Sequence, residues 1–228
     1  MQQLKIDPLL VPQGLATDIL MSQKEVDAII TELAQQLEEE FHGTTIHTAV
    51  NLQGGLHFYS RIIEKMYDCN MRRLQRIISA EREKGTPDQL IRPLVEAARL
   101  IMIEDSIGTS KYGHGTDKAG QVYLTKDLNE VVENQIFILF EDVLDSGGTL
   151  TYLWDHFIRK GVARLVFVCL FQKDVTNSLP PDTTVYIGDQ VPDVWLVGAL
   201  GLDSIGKDHN GLTRGGMYRY LPYLTTPL

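Results

Sequence analysis

Three carboxylates and two glycines crowd one short stretch of the chain, Glu141-Asp142-Val143-Leu144-Asp145-Ser146-Gly147-Gly148-Thr149. Carboxylates packed this closely repel one another unless a cation or ligand hydroxyls offset them. Gly147 and Gly148 permit a tight turn with backbone N–H groups pointing inward. The residues from Thr149 to Lys160 then read as a helix whose amino end favours an anion. The chemistry this spacing offers is a phosphate-binding turn beside an acid/base group, with Asp145 at its lip. A Walker A loop would need a Lys before its Ser/Thr, and a dinucleotide-binding turn carries no carboxylates ahead of its glycines, so both are excluded.

An element must hold such a turn. Ile136 to Phe140 is a short continuous apolar run, the signature of an inner strand of a parallel sheet covered on both faces. Glu141 and Asp142 then fall at its carboxyl end, where open α/β sheets bind ligands. Further strands are expected at Ile46 to Leu52, Leu100 to Ile107, Gln121 to Thr125, Arg164 to Phe171, Thr184 to Ile187 and Val194 to Val197. Ser22-Gln-Lys-Glu25 has capping-box form and opens a helix with Val26, Ile29, Ile30, Leu33 and Leu37 at helical spacing. A helix follows from Leu56 to Met66; the charged run Arg72 to Lys84 stops at Gly85, and Thr86-Pro-Asp-Gln89 starts another helix with Thr as its cap. Gly108 to Gly120 reads as a polar, glycine-rich loop. Strands separated by helical segments imply an α/β fold with a doubly wound, mainly parallel, twisted sheet.

A chain of 228 residues fits one elaborated domain, residues 1–228, with a helical insertion at about 69–99. The formal net charge of −9 argues against a nucleic-acid surface, which needs Lys and Arg to neutralise phosphates. No apolar run approaches membrane-spanning length, and the amino terminus lacks a basic region followed by an apolar core, so a cytoplasmic protein with no membrane partner is expected. Cys69 and Cys169 lie far apart and read as reduced, partly buried thiols.

The run from Glu141 to Thr149 resembles the phosphoribosyl pyrophosphate (PRPP) motif of the type I phosphoribosyltransferases: two acids, two apolar residues, an acid and a Ser/Thr-Gly-x-Thr loop after a strand. From about Ile19 to Tyr223 the order of elements resembles the hypoxanthine-guanine phosphoribosyltransferases. The resemblance implies the type I fold with a small hood and a C-terminal insertion at about 204–218. It also implies purine salvage: transfer of ribose 5-phosphate from PRPP to N9 of a 6-oxopurine, forming IMP or GMP and pyrophosphate. Implied roles follow residue by residue. Asp145 is the acid/base group at purine N7. Ser146, Gly147, Gly148 and Thr149 hold the 5'-phosphate, and Glu141 and Asp142 meet the ribose hydroxyls and hydrated Mg2+, with Asp203 a further magnesium ligand.

Leu52-Gln53-Gly54 matches the loop that binds pyrophosphate through backbone N–H groups, although Gln53 stands where many members carry Lys or Arg. Ser110-Lys111-Tyr112 resembles the lid over the transition state, with Lys111 where the family usually has Ser. Lys173 is implied to donate to the purine 6-oxygen and Trp195 to stack on the ring, though by residue type alone a Trp belongs in a core. Leu196 and Leu202 are implied to border the purine, and Arg219 to contact pyrophosphate. A homodimer or homotetramer is the implied assembly. A phosphoribosyltransferase for another base, or a regulator of the same fold that senses PRPP or nucleotides, are the competing readings.

Overall fold

The computed structural model describes residues 15, 19–52, 54–110, 122–199, 201–202, 205–207, 213–215 and 218–226. Strands β1 (Thr45–Leu52), β2 (Ile101–Ser110), β3 (Tyr123–Lys126), β4 (Ile136–Leu144), β5 (Arg164–Lys173) and β6 (Thr184–Val191) form one sheet in the order β3-β2-β1-β4-β5-β6. All neighbours are parallel except β3, which runs antiparallel to β2 at one edge. The expected doubly wound α/β architecture is therefore present.

Helices α1 (Gln23–Phe41) and α2 (Leu56–Glu83) cover one face, and α4 (Gly148–Arg159) the other; α3 (Asp88–Ala97) packs on α2. The alternation of β4 assigns its side chains to both layers. Ile138 and Phe140 join Ile30, Leu37, Phe58 and Ile62, while Phe137 and Leu139 join Leu153 and Phe157. The Phe137 and Phe157 rings lie 4.5 Å apart. Each such side chain contributes about 1.5–3 kcal/mol by leaving water, which explains why an unbroken apolar run was needed here.

At the start of α1, the Glu25 N–H donates to Ser22 Oγ (3.3 Å) and the Ser22 N–H donates to Glu25 Oε2 (2.7 Å), the reciprocal pair its sequence implied. Other boundaries differ from expectation. β4 does not stop at Phe140 but carries Glu141 and Asp142 within it, because β5 continues to pair with it as far as Leu144 and Gln172. β2 takes in Gly108, Thr109 and Ser110, which pair with β3 instead of beginning a loop. α2 is unbroken through the charged run. Its Arg73 and Asn70 bond Glu38 of α1, which is 4% exposed, and α3 folds back against it.

Thr86 does not cap α3. Pro87 is the cap residue, and the Thr86 hydroxyl donates instead to Glu81. The expected strand at Val194 to Val197 shrinks to β7 (Val197–Gly198), since only those residues meet a partner, β10 (Leu224–Thr225). β7 and β10, with Leu15 and Leu221, form a hood above the sheet. Between them β8 (Ile205–Lys207) and β9 (Thr213–Gly215) pair as an antiparallel ribbon. Among the described residues no helix is long and apolar enough to cross a membrane.

Candidate active site

The sheet order reverses between β1 and β4. β1 pairs with β2 along its whole length, from Thr45 to Leu52, but with β4 only from His47 to Val50. Beyond Phe140 the two strands part, and a crevice opens at their carboxyl ends, the topological switch point of an open α/β sheet. It encloses about 670 Å³ and is lined by Gly54, Glu141, Asp142, Asp145, Gly147, Thr149 and Arg219, together with Leu52 and Ser110. Residues from four separate stretches of the sequence thus meet in one cavity.

Gly147 caps α4 in the left-handed region, at φ +86, where a side chain would be strained. A Cβ there would also lie 2.8 Å from the carbonyl oxygen of Ser178. That same carbonyl accepts from Thr151 Oγ1 (3.0 Å), and the Ser178 N–H donates to Ser146 O (3.2 Å), so the turn is braced from outside the cavity. Unlike α1, α4 has no side-chain cap, and its first-turn N–H groups with the positive end of the helix dipole suit an anion.

Asp142 Oδ1 accepts from the Val143 N–H (2.9 Å), which fixes the carboxylate against the β1 turn. A Cβ on Gly54 would fall 2.7 Å from the Asp142 carboxyl carbon, and one on Gly201 would fall 2.6 Å from the Gly54 carbonyl oxygen. The turn after β1, the end of β4 and the segment leading to Leu202 therefore touch with no room for side chains. Glu141 pairs in register with Cys169, whose thiol is pushed well up first by complete burial and then by the Glu141 and Asp142 carboxylates. Cys169 is accordingly a core residue.

Lys173 ends β5 with Nζ 3.6 Å from Asp145 Oδ2 and 3.5 Å from Asp193 Oδ1; its side chain is 14% exposed. It is not in the cavity wall but adjoins it through Asp145. Trp195 is half-exposed on the hood, contrary to what its residue type alone suggests. Leu196 and Leu202 bury their side chains in the main core, so only their backbone groups remain to meet a ligand. Gln53, Lys111, Tyr112 and Asp203 lie outside the described residues.

The cavity also draws in Asn51, Thr109, Tyr123, Thr125 and Lys126, which sequence reasoning missed. A polar Asn inside the apolar run Ala49-Val50-Asn51-Leu52 was the available signal. The β3 wall is tied down by charge. Lys126 Nζ reaches Asp105 (3.4 Å), and Asp105 also accepts from the Asn129 and Glu130 N–H groups (2.6 and 3.1 Å). Asp127 accepts from His156 Nε2 (2.9 Å) and Lys160 Nζ (2.8 Å) of α4. Burial works to raise the Asp127 pKa, but the bonds from Lys160, His156 and the Leu128 N–H outweigh it and hold the carboxyl down at about 2.

Such a molecule is a doubly wound α/β protein with a polar crevice at its topological switch point. A family model, the phosphoribosyl transferase domain, matches residues 17–204, and the chain belongs to that family. The chain is similar to the bifunctional protein TilS/HprT of Listeria innocua, 30% identical over 206 residues; the match takes in 90% of this chain but only 25% of that protein, so the chain spans about a quarter of its length. It is also similar to the hypoxanthine-guanine phosphoribosyltransferase of Staphylococcus aureus strain Mu50, 24% identical with 92% of each chain covered. A crystal structure of a hypoxanthine-guanine phosphoribosyltransferase from Bacillus anthracis superposes with a TM-score of 0.65 at 26% identity, covering 92% of this chain and 98% of that one.

Proposed function

We propose that this chain transfers ribose 5-phosphate from PRPP to N9 of a 6-oxopurine, hypoxanthine and/or guanine, releasing pyrophosphate and forming IMP or GMP. The observation that carries the reading is the pairing of Asp145 with Lys173 at the edge of a cavity that also holds an uncapped helix amino terminus. An ammonium has only donors, so Lys173 selects an acceptor such as a 6-oxygen. Asp145, held beside it, is within reach to accept or return the proton at N7.

In this reading Ser146 to Thr149 anchor the 5'-phosphate, so that binding energy remote from the reacting carbon positions it. Glu141 and Asp142 accept from the ribose hydroxyls. The Leu52-Gln53-Gly54 turn and Arg219 take the pyrophosphate, Trp195 stacks on the base, and the backbone at Leu196 and Leu202 borders it. Ser110, Lys111 and Tyr112 complete the lid. Magnesium fits the donor set, since it binds through one or two carboxylates with substrate phosphates and keeps several waters. Glu141, Asp142 and Asp203 would hold it, and it would neutralise charge on the departing pyrophosphate. The enzyme acts as a homo-oligomer in the cytoplasm.

The test is pyrophosphate release from PRPP with a panel of bases, with and without magnesium. Hypoxanthine or guanine should support turnover, and adenine should be poorer by on the order of 10²-fold, because its 6-amino donor faces the Lys173 donor. Equal use of adenine would overturn the base assignment. PRPP binding without turnover of any base would favour the sensing role instead.

A further inference from the structure

Parallel strands hold together through their backbone ladder, and that ladder must end where one strand turns away. The last register pair between β1 and β2 is Leu52 with Gly108. β1 then leaves for the Gly54 turn while β2 runs on through Thr109 to Ser110, and at this same point the register of β2 against β3 shifts between Gly108 and Thr109. Among the described residues, Thr109 has no register partner on β1. Its N–H donates instead to Asn51 Oδ1 (3.1 Å), its hydroxyl lies 3.1 Å from the same oxygen, and Asn51 Nδ2 donates to Thr109 Oγ1 (2.9 Å). Asn51 is 5% exposed, and both residues line the cavity.

One side-chain amide here replaces the ladder where the main chains diverge. An apolar residue at 51 would leave a largely enclosed N–H without an acceptor, or would let the strands close on each other at the cavity mouth. We propose that Asn51 and Thr109 form a positioning pair, which fixes the separation between the Leu52-to-Gly54 turn and the end of β2 and so sets the grip on the diphosphate portion of the ligand. The identity of that ligand rests on the function proposed above. Neither residue touches the reacting atoms; both act through the turn and through Ser110.

The experiment uses the full-length chain with Asn51→Leu, Thr109→Val and Thr109→Ser, alone and with the first two combined. Asn51→Leu should raise the KM for PRPP and the Kd for inorganic pyrophosphate about tenfold, with the KM for the base changing less than about twofold. Thr109→Val keeps its N–H and should lose only about threefold, while Thr109→Ser should match the parent. The double variant should be no worse than Asn51→Leu alone, since the two changes remove one interaction.

Exchange of the Thr109 amide hydrogen, followed by NMR, should quicken about tenfold in Asn51→Leu independently of turnover. Unchanged pyrophosphate affinity in Asn51→Leu, or equal rises in both Michaelis constants, would overturn the proposal. If the parent chain releases no pyrophosphate from PRPP, the functional reading fails. The pair is then still judged by pyrophosphate binding and amide exchange.

Discussion

Gly54→Ala separates catalysis from stability, because the atom it adds meets the movable end of Asp142, the side chain proposed to meet the ribose hydroxyls. The new Cβ would collide first with Asp142 Oδ2 and would sit 2.7 Å from the carboxyl carbon and 3.2 Å from Oδ1. Ordinary carbon contacts are about 3.5–4.0 Å, so the carboxylate must retreat by roughly 1 Å. It can do so by rotating about its own bonds, which gives up the bond from the Val143 N–H, and the fold keeps most of its stability. A displacement of that size at a site of positioned groups costs about 10²-fold, or about 2.7 kcal/mol of transition-state stabilisation.

Gly201→Ala offers the contrast. Its Cβ would sit 2.6 Å from a backbone oxygen, that of Gly54, and a backbone cannot rotate aside. That variant should lose about 1–3 kcal/mol of stability as well as activity. Steady-state kinetics with varied PRPP, beside thermal unfolding of the same preparations, reads both quantities. Wild-type kcat/KM for PRPP in Gly54→Ala would refute the proposal that Asp142 acts from its position beside the Gly54 turn. A loss of stability in Gly54→Ala matching that in Gly201→Ala would refute the division between movable side chain and fixed backbone.

Asp145→Asn keeps the shape but removes the proposed proton carrier, so turnover should fall by roughly 10²-fold or more with PRPP affinity little changed; near-normal turnover excludes the role. Trp195→Ala removes a half-exposed ring and should raise the KM for the base more than that for PRPP, with melting temperature nearly unchanged; a large drop in melting temperature would mark it as a packing residue. Asp127 has a depressed pKa, so its bonds to His156 and Lys160 add stability that is fully present above the ordinary carboxyl value of 3.8 and is lost as pH falls toward about 2. Asp127→Asn should therefore flatten the acid side of a plot of melting temperature against pH, and parallel curves for variant and parent would contradict this.

Local signals make the centre of the molecule legible in the sequence. The Ser22 to Glu25 capping box and the run Ile136 to Phe140 each combine propensity, pattern and burial in agreement, and both elements stand where expected. Failures came where a distant partner decides the outcome. Val194 to Leu196 have strand-like side chains, but Pro192 precedes them and β10 reaches back only as far as Val197. The charged half of α2 looked like a separate piece because its apolar periodicity fades, yet Glu38, remote in sequence, pairs with Arg73 and Asn70 and keeps the helix whole.

The site followed the same rule. Residues within the Glu141-to-Thr149 run share one local turn and could be read from their spacing, whereas Lys126 becomes a wall residue only through the strand register, and Asn51, marked by its polarity in an apolar run, meets its partner Thr109 only there. Arg219, far along the chain beyond the β8–β9 ribbon and a few residues before β10 returns to pair with β7, also lines the cavity, a long-range meeting that no local pattern signals.

The connection from β5 to β6 contains no helix, and it begins at Lys173 and reaches Ser178 within a few residues. One end of this short peptide carries the ammonium beside Asp145, and a point further along clasps Ser146 and Gly147 from behind. Most surface loops tolerate drift in length, because only their ends are held. This one is held at both its ends and its middle. A residue gained or lost between Asp174 and Ser178 would disturb the Lys173–Asp145 contact and the brace on Ser146 and Gly147 together, so lineages of this chain should keep this stretch constant in length.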